Sequence, residues 1–244
     1  MWRGCGLLLV LAVGACGAER DEPADPPRAQ ASSSFSVARA RMVDETLASR
    51  GVKNLRVLQA MRTVPRHEFV PAEHRRYAYG DHSLPIGHDQ TISPPYIVAI
   101  MAEVAAIGPQ QRVLEIGTGS GYGAAVLAQL AHEVYTIEIL EPLAKRAEET
   151  LHRLGYKNVH VRHGDGYQGW PDAAPFDAIV VTAAPRTVPE PLKAQLKVGG
   201  RLVVPVGDRI QSLRVITRTK DGSFVEDPLF EVRFVQMTGE AQRK

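Results

Sequence analysis

Cysteine is nearly absent from this 244-residue sequence. The only two cysteines are Cys5 and Cys16, so the chain beyond Cys16 cannot form an internal disulfide, a thiolate zinc site or a cysteine nucleophile. Histidines do not supply a metal site in their place. Four of them lack a metal-ligand spacing to a cysteine or to a second histidine four residues on: His67, His82, His88 and His163.

The sequence also lacks an imbalance of charge. Lys and Arg number 29 against 27 for Asp and Glu, which gives a formal net charge of +2. Such a chain has no overall field with which to hold a phosphate backbone, so nucleic acid is not an expected partner. Hydrophobic residues make up 44% and charged residues 23%, as in ordinary globular proteins, and the length suits one large α/β domain.

The first residues have the composition of an export signal. Arg3 supplies a positive charge, residues 7–13 form an apolar run too short to span a bilayer as a helix, and small residues precede Cys16. The run Val13-Gly14-Ala15-Cys16 resembles a bacterial lipobox, in which the cysteine becomes acylated.

We therefore expect a signal peptide over residues 1–15 and a flexible, Pro- and Ser-rich tether over 16–36. The expected location is the cell envelope or periplasm, with membrane contact only through a lipid at Cys16. The alternative is a start codon assigned too far upstream of a cytoplasmic protein.

The first part of the remaining chain is predicted to be helical. A helix is expected from Phe35 to Arg50, and Asn54 can cap a second helix. A long polar loop rich in tyrosine follows. Ser93, followed by two prolines and an apolar run, is predicted to cap a third helix that ends at Gly108.

From Gln110 onward, strands and helices alternate. This alternation predicts a doubly wound, mostly parallel sheet of about seven strands with helices on both faces. The last two strands are predicted as a pair around Asp221-Gly222. The predicted strands are RVLEI, EVYTIE, NVHVRHGD, FDAIVVTAA, RLVVPVG, SLRVITRT and FEVRFVQM.

A glycine-rich turn follows the first of these strands, in the run Glu115-Ile116-Gly117-Thr118-Gly119-Ser120-Gly121-Tyr122-Gly123. Glycines allow a tight turn and a close approach of backbone to ligand, and the following helix presents free N–H groups. The glycine spacing differs from the G-x-G-x-x-G of dinucleotide folds, which disfavours an NAD-dependent oxidoreductase. A turn of packing value only is the alternative.

Polar residues end the next three strands. Glu138 stands 21 residues after Gly117, where a carboxylate can accept both ribose hydroxyls, although it could instead be an acid at a helix start. Asp165, in Gly164-Asp165-Gly166, can accept from an exocyclic amine of adenine, or be a turn residue. Thr182 is a further candidate for the wall of the same crevice, or a packing residue.

The runs EIGTGSGYG, RHGDGYQGW and FDAIVVTAA, with LPIGHDQTISPPY upstream, resemble the protein-L-isoaspartate O-methyltransferase family. The resemblance implies a Rossmann-like methyltransferase domain over residues 37–240, with an added N-terminal helical region. It implies S-adenosylmethionine as cofactor and an active-site serine at Ser93. Together with the glycine-rich turn, it gives these predicted cofactor contacts: Ile86, Gly87, Gly117, Gly119, Gly121, Glu138, Asp165, Gly166, Thr182 and, more loosely, Thr238.

The implied activity is methylation of the α-carboxylate of L-isoaspartyl residues in damaged proteins and peptides. We expect a monomer and no metal site. Three alternatives remain: a methyltransferase for small molecules, the NAD-dependent oxidoreductase, and an envelope lipoprotein that keeps the fold as a binding module. Ser93 is expected to contact the substrate carboxylate or to fix the loop around it, and the alternative is a helix cap alone.

Overall fold

The computed structural model describes Met1 and residues 28–239. Cys5, Cys16 and the chain between Met1 and Arg28 lie outside the described residues, so the predicted signal and most of the tether do too. Residues 28–36, assigned to the tether, instead begin a helix. The segment from Arg28 to Arg41 follows two prolines and contains neither proline nor glycine, which permits a helix to start and continue there.

Six α-helices are present in the described residues. The helical path of the first continues through a π-helical segment, Met42–Ala48. Asn54 caps the second as predicted, because its side-chain oxygen accepts from the N–H groups of Arg56 and Val57. Within residues 28–239, none of the helices combines the length and apolarity needed to cross a bilayer. The helices are α1 (Arg28–Arg41), α2 (Leu55–Thr63), α3 (Pro95–Val104), α4 (Tyr122–Ala128), α5 (Glu141–Arg153) and α6 (Glu190–Ala194).

Seven of the nine described strands form one sheet. Two short strands, β1 (Leu84–Gly87) and β2 (Gln90–Ile92), form a separate antiparallel hairpin. The strands of the large sheet are β3 (Arg112–Ile116), β4 (Glu133–Glu138), β5 (Val159–His163), β6 (Phe176–Val181), β7 (Leu196–Gly207), β8 (Gln211–Arg218) and β9 (Phe224–Val232).

The strand order of the large sheet is β5-β4-β3-β6-β7-β8-β9. The first five strands along this order are parallel to one another, and β8 is antiparallel to both of its neighbours. The predicted Rossmann-like, mostly parallel sheet is confirmed. Since the chain runs outward from β3 in both directions, a crevice is expected at the carboxyl ends of β3, β4 and β6.

The core lies on both faces of this sheet, because alternate residues of the buried strands point to opposite sides. Val113 and Val180 pack with the helices on one face, while Leu114 and Ile179 belong to the cluster on the other. All four are nearly or completely inaccessible to solvent. This double burial explains the continuous apolar run of β6 from Ala178 to Val181.

Two regions differ from the sequence prediction. The predicted long loop contains two 3-10 helices, Arg66–Phe69 and Ala72–Tyr77, and the β1–β2 hairpin. The final strand covers residues 224–232, earlier than the predicted FEVRFVQM. The residues that follow β9 run past β6 instead: Ala184 donates to the carbonyl of Val235, and Met237 donates to that of Ala184. This course of the chain after β9 brings Thr238 to the carboxyl edge of the sheet.

Candidate active site

A cavity of about 290 Å³ lies at the carboxyl ends of β3, β4 and β6. Its walls come from the glycine-rich turn, the end of β4, the hairpin tip and the segment after β9. Its lining residues include Gly117, Gly119, Glu138, Gly166, Thr182 and Thr238, together with His88 to Thr91. Six of the ten predicted cofactor contacts therefore border one space.

The glycine-rich turn is held by backbone hydrogen bonds. Gly117 and Thr118 donate to the carbonyl of Ile137 on the neighbouring strand, at 2.8 and 3.2 Å. Gly117, Gly119 and Gly121 all have positive φ angles, of 94°, 54° and 88°. Side chains other than hydrogen are disfavoured in this region, which explains the glycines.

The three glycines do not have the same surroundings. Gly117 and Gly119 line the cavity, but Gly121 does not. A methyl group at Gly121 would lie 3.2–3.3 Å from the side chains of Leu151 and Ala147 of α5. This glycine allows α4 and α5 to pack closely, so its predicted cofactor contact is not supported by its position.

Glu138 ends β4 at the cavity wall and is only 6% exposed. Its Oε2 accepts from the N–H of Gly119 at 2.8 Å, and its Oε1 accepts from the N–H of Leu140 at 3.0 Å. Each carboxylate oxygen has a second lone pair that can accept from a ligand hydroxyl. The same side chain therefore fixes the turn and presents acceptors to the cavity.

Asp165 borders a neighbouring space rather than the main cavity. Its Oδ1 accepts from the N–H of Tyr167 at 2.9 Å, and the side chain lines a second cavity of about 250 Å³. The two cavities share Ile137, and Gly166 borders the main one. Asp165 and Glu138 are thus placed on adjoining spaces at one edge of the sheet.

In the hairpin, the residues that line the cavity differ from the two predicted cofactor contacts, Ile86 and Gly87, which stay predictions. Ile86 is fully buried, its carbonyl accepts from Arg146, and neither Ile86 nor Gly87 lines the cavity. The lining residues are His88 to Thr91, at the hairpin tip. His88 and Asp89 have φ angles of 53° and 55°, and the polar run between two apolar segments was the available sign of such a turn.

Thr182 joins β6 to the glycine-rich turn. Its hydroxyl lies 3.0 Å from the carbonyl of Ile116 and 2.7 Å from that of Gly117, to which it donates. It also lines the cavity, so both alternatives considered from sequence, packing and wall, describe it. Thr238 reaches the cavity from the segment that follows β9.

Ser93 lines a space next to the main cavity and not the main cavity itself. It lines a small, largely apolar pocket of about 30 Å³, together with Glu115, Gly123 and Thr182. The residue that caps α3 is Pro94, with no side-chain capping bond, so the predicted serine cap is wrong. Thr182 borders both spaces, so the pocket of Ser93 adjoins the main cavity.

Glu115 is a buried carboxyl beneath the glycine-rich turn and is 1% exposed. The hydroxyl of Thr136 donates to its Oε2 at 2.6 Å and lies 2.7 Å from the hydroxyl of Thr118 in the turn. Burial raises the pKa of Glu115 to about 8; the bond from Thr136 opposes the rise, and the charge of Glu138 adds to it. Glu115 is therefore mostly neutral at pH 7.

Replacing Gly117 by Ala should destabilise the protein by about 2–5 kcal/mol. The new methyl group would lie 2.5 Å from Oγ1 of Thr182, and the φ angle of 94° adds backbone strain. Gly155→Ala is the matched control, because Gly155 has a φ of 82° and no atom within 4 Å of the new position. Urea unfolding of both variants measures the difference, and equal losses would contradict the argument.

A family model described as protein-L-isoaspartate(D-aspartate) O-methyltransferase matches residues 38–242. A Gloeobacter violaceus protein-L-isoaspartate O-methyltransferase is 62% identical over 201 residues, covering 82% of this chain and 98% of that relative. The chain belongs to the protein-L-isoaspartate(D-aspartate) O-methyltransferase family. A Syntrophobacter fumaroxidans family member is 47% identical over 244 residues, covering 96% of this chain and 94% of its own length, so its match reaches into the N-terminal segment.

Solved structures of family members share the fold. A protein-L-isoaspartate O-methyltransferase structure has a TM-score of 0.76 at 33% identity and matches 82% of this chain and 66% of its own, so the chain spans just under two thirds of that protein. A Plasmodium falciparum family member, solved in complex with S-adenosyl-L-homocysteine, has a TM-score of 0.73 at 28% identity. It covers 82% of this chain and 98% of its own length.

Proposed function

We propose that this chain repairs damaged proteins by transferring a methyl group from S-adenosylmethionine to the α-carboxylate of L-isoaspartyl residues. Family membership supports this activity and this cofactor. The single observation that carries the proposal is one cavity bounded by the glycine-rich turn, by Glu138 and by the tip of the hairpin in LPIGHDQTIS. The first two walls suit a nucleoside, and the third belongs to the run most specific to the family.

The residues present fit the cofactor. Gly117 and Gly119 line the cavity without side chains, so their backbone is open to a ligand. Glu138 offers oxygens to the ribose hydroxyls. Gly166 and the neighbouring Asp165 lie where the base would be held. When bound, S-adenosylmethionine supplies the methyl group, which its sulfonium makes electrophilic.

The protein's part in the reaction is alignment. The α-carboxylate of an isoaspartyl residue is already ionised at neutral pH, so no general base is needed. Its oxygen must be held in line with the methyl carbon and the sulfur, and good alignment can contribute roughly 7–11 kcal/mol. We assign this positioning to Ser93 and to the hairpin tip. Without the enzyme, the neighbouring backbone nitrogen then attacks the ester carbonyl and releases methanol to form a succinimide, and addition of water to this ring restores some normal aspartate.

Methylation of an isoaspartyl peptide, but not of its aspartyl counterpart, tests the proposed function. Transfer to both peptides, or to small acids alone, would favour a methyltransferase for small molecules. A thermal-shift comparison tests the cofactor: a ligand at about 100 times its Kd adds about 2.7 kcal/mol of stability, so S-adenosylhomocysteine should stabilise the protein and NAD should not. Cofactor binding without turnover would favour a binding module.

Ser93→Ala should lower kcat/KM for the isoaspartyl peptide by about 10-fold, the cost of one hydrogen bond to a charged group. The melting temperature should stay close to that of the wild type, because Ser93 makes no capping bond to α3. Ser212→Ala, a replacement on β8, is the control for both measurements. A lower melting temperature with unchanged kcat/KM would instead assign Ser93 a structural role.

We also propose that the chain is exported and lipid-anchored at Cys16. The support is the apolar run of residues 7–13 and the lipobox-like sequence that ends at Cys16. Fractionation of wild type, Cys16→Ala and the control Cys5→Ala tests this. Wild type and Cys5→Ala should be in the membrane fraction, whereas Cys16→Ala should be released. Wild type in the cytoplasmic fraction would refute export.

A further inference from the structure

Arg66 is a buried cation that the proposed reaction does not use. It lies in the 3-10 helix Arg66–Phe69, and its side chain is 0% exposed. None of the ion pairs formed within residues 34–239 includes it. Its Nη1 is buried without a hydrogen-bond partner. A guanidinium stays charged when buried, so the fold bears a desolvation cost that no ion pair offsets, and the charge of Asp81 and the side chain of Tyr122 favour the cation only in part.

The partners of Arg66 come from three separate segments. Its Nε donates to the carbonyl of Ala78 at 2.8 Å, and its Nη2 donates to the carbonyl of Ser93 at 2.8 Å. Its Cζ lies 4.7 Å from the centre of the ring of Tyr122. Tyr122 is the first residue of α4 and directly follows the glycine-rich turn. One planar group therefore connects the segment of Ser93 with the helix that begins where the turn ends.

This arrangement requires an arginine. A guanidinium is rigid and planar, so it can donate to two carbonyl groups along its edge while one face lies on an aromatic ring. The single ammonium of a lysine cannot make both carbonyl contacts and the ring contact in the same geometry. A neutral side chain of similar volume would fill the space but leave the carbonyl groups of Ala78 and Ser93 without these donors.

We propose that Arg66 is a positioning residue for methyl transfer, which holds Ser93 at a fixed distance from the glycine-rich turn. The inference rests on the proposed function, because it assumes that Ser93 faces the substrate and that the turn binds the cofactor. A misplacement of about 1 Å at reacting groups can cost about 100-fold in rate. Arg66 acts on the reaction only through the backbone of Ser93 and the ring of Tyr122.

Arg66→Lys is the first test. We expect kcat for the isoaspartyl peptide to fall by up to about 10-fold, the loss expected for Ser93→Ala, with the Kd of S-adenosylhomocysteine within about 3-fold of wild type. Arg56→Lys is the matched control, since Arg56 donates to the carbonyls of Ile107 and Leu130 and has no contact with Ser93. Its kcat should be unchanged. A folded Arg66→Lys variant with kcat within 2-fold of wild type would overturn the inference.

A double-mutant cycle separates positioning from general destabilisation. If Arg66 acts through Ser93, Arg66→Lys should cost little further kcat in a Ser93→Ala background. Losses that multiply would show that Arg66 acts elsewhere and would overturn the inference. Tyr122→Leu, which removes the ring, provides a second variant should Arg66→Lys fail to fold, and it should lower kcat with the same pattern. Absence of isoaspartyl methylation by the wild type would count against the proposed function instead.

Discussion

Glu138→Gln should weaken the binding of S-adenosylhomocysteine by about 100-fold or more. Each oxygen of Glu138 accepts a backbone N–H, from Gly119 or from Leu140. A glutamine can offer its one oxygen to only one of these donors, and its amide N–H groups then face the other. The variant thus loses a charged acceptor for the ribose and also disturbs the turn, and each loss is worth about 1.5–3 kcal/mol. Isothermal titration calorimetry measures the Kd.

The control for this measurement is Glu141→Gln. Glu141 is exposed, begins α5 and pairs with Lys145 on the same helix. The Kd of S-adenosylhomocysteine for the Glu141→Gln variant should therefore stay within about 2-fold of the wild-type value. A ligand that lacks both ribose hydroxyls gives a further comparison. It should bind weakly to wild type, and Glu138→Gln should weaken it less than it weakens S-adenosylhomocysteine. Equal effects of Glu138→Gln on both ligands would contradict the ribose assignment.

The large sheet could be predicted because its pattern is local. β6 is a short run that is apolar from Ala178 to Val181, as burial on both faces requires, and β3 is a short strand with an apolar centre that leads into the glycine-rich turn. The position of Glu138 was equally accessible, since the carboxyl ends of parallel strands meet at one edge of a sheet. These inferences need only strand boundaries and a topological rule, both of which the sequence contains.

The remaining features depend on contacts between segments distant in sequence. Gly121 has the same positive φ as Gly117, yet it faces α5, and no spacing rule separates the two. Asp165 is predicted to end its strand, but β5 ends at His163, and the side chain of Asp165 lines a cavity that adjoins the main one. Ser93 precedes two prolines as a capping residue would, yet Pro94 occupies the cap position. Propensity and pattern describe the backbone of one segment and not the neighbours it meets.

Burial of Glu115 should make the stability of the protein depend on pH. Burial raises the folded-state pKa to about 8, above the ordinary value of 4.5, so between these values the folded state holds a proton that the unfolded state has released. The free energy of unfolding therefore decreases as pH rises through this window, by up to about 1.4 kcal/mol per unit, and the decrease ends above pH 8. The contribution of Glu115 is most favourable below pH 4.5, where both states hold the proton.

Glu115→Gln isolates this contribution, because an amide has nearly the shape of the neutral carboxyl and does not titrate. Relative to wild type, the variant should gain about 3–4 kcal/mol of stability between pH 5 and pH 8. Urea unfolding of both proteins at several pH values, without ligand, gives the difference between their unfolding free energies. The contributions of the other titrating groups are common to both proteins and cancel in this difference. Glu73→Gln, in an exposed 3-10 helix, is the control, and its unfolding free energy should change with pH in parallel with that of wild type. If the unfolding free energies of Glu115→Gln and wild type changed with pH in parallel, Glu115 would be ionised in the folded state, and the glycine-rich turn would lie next to a buried negative charge.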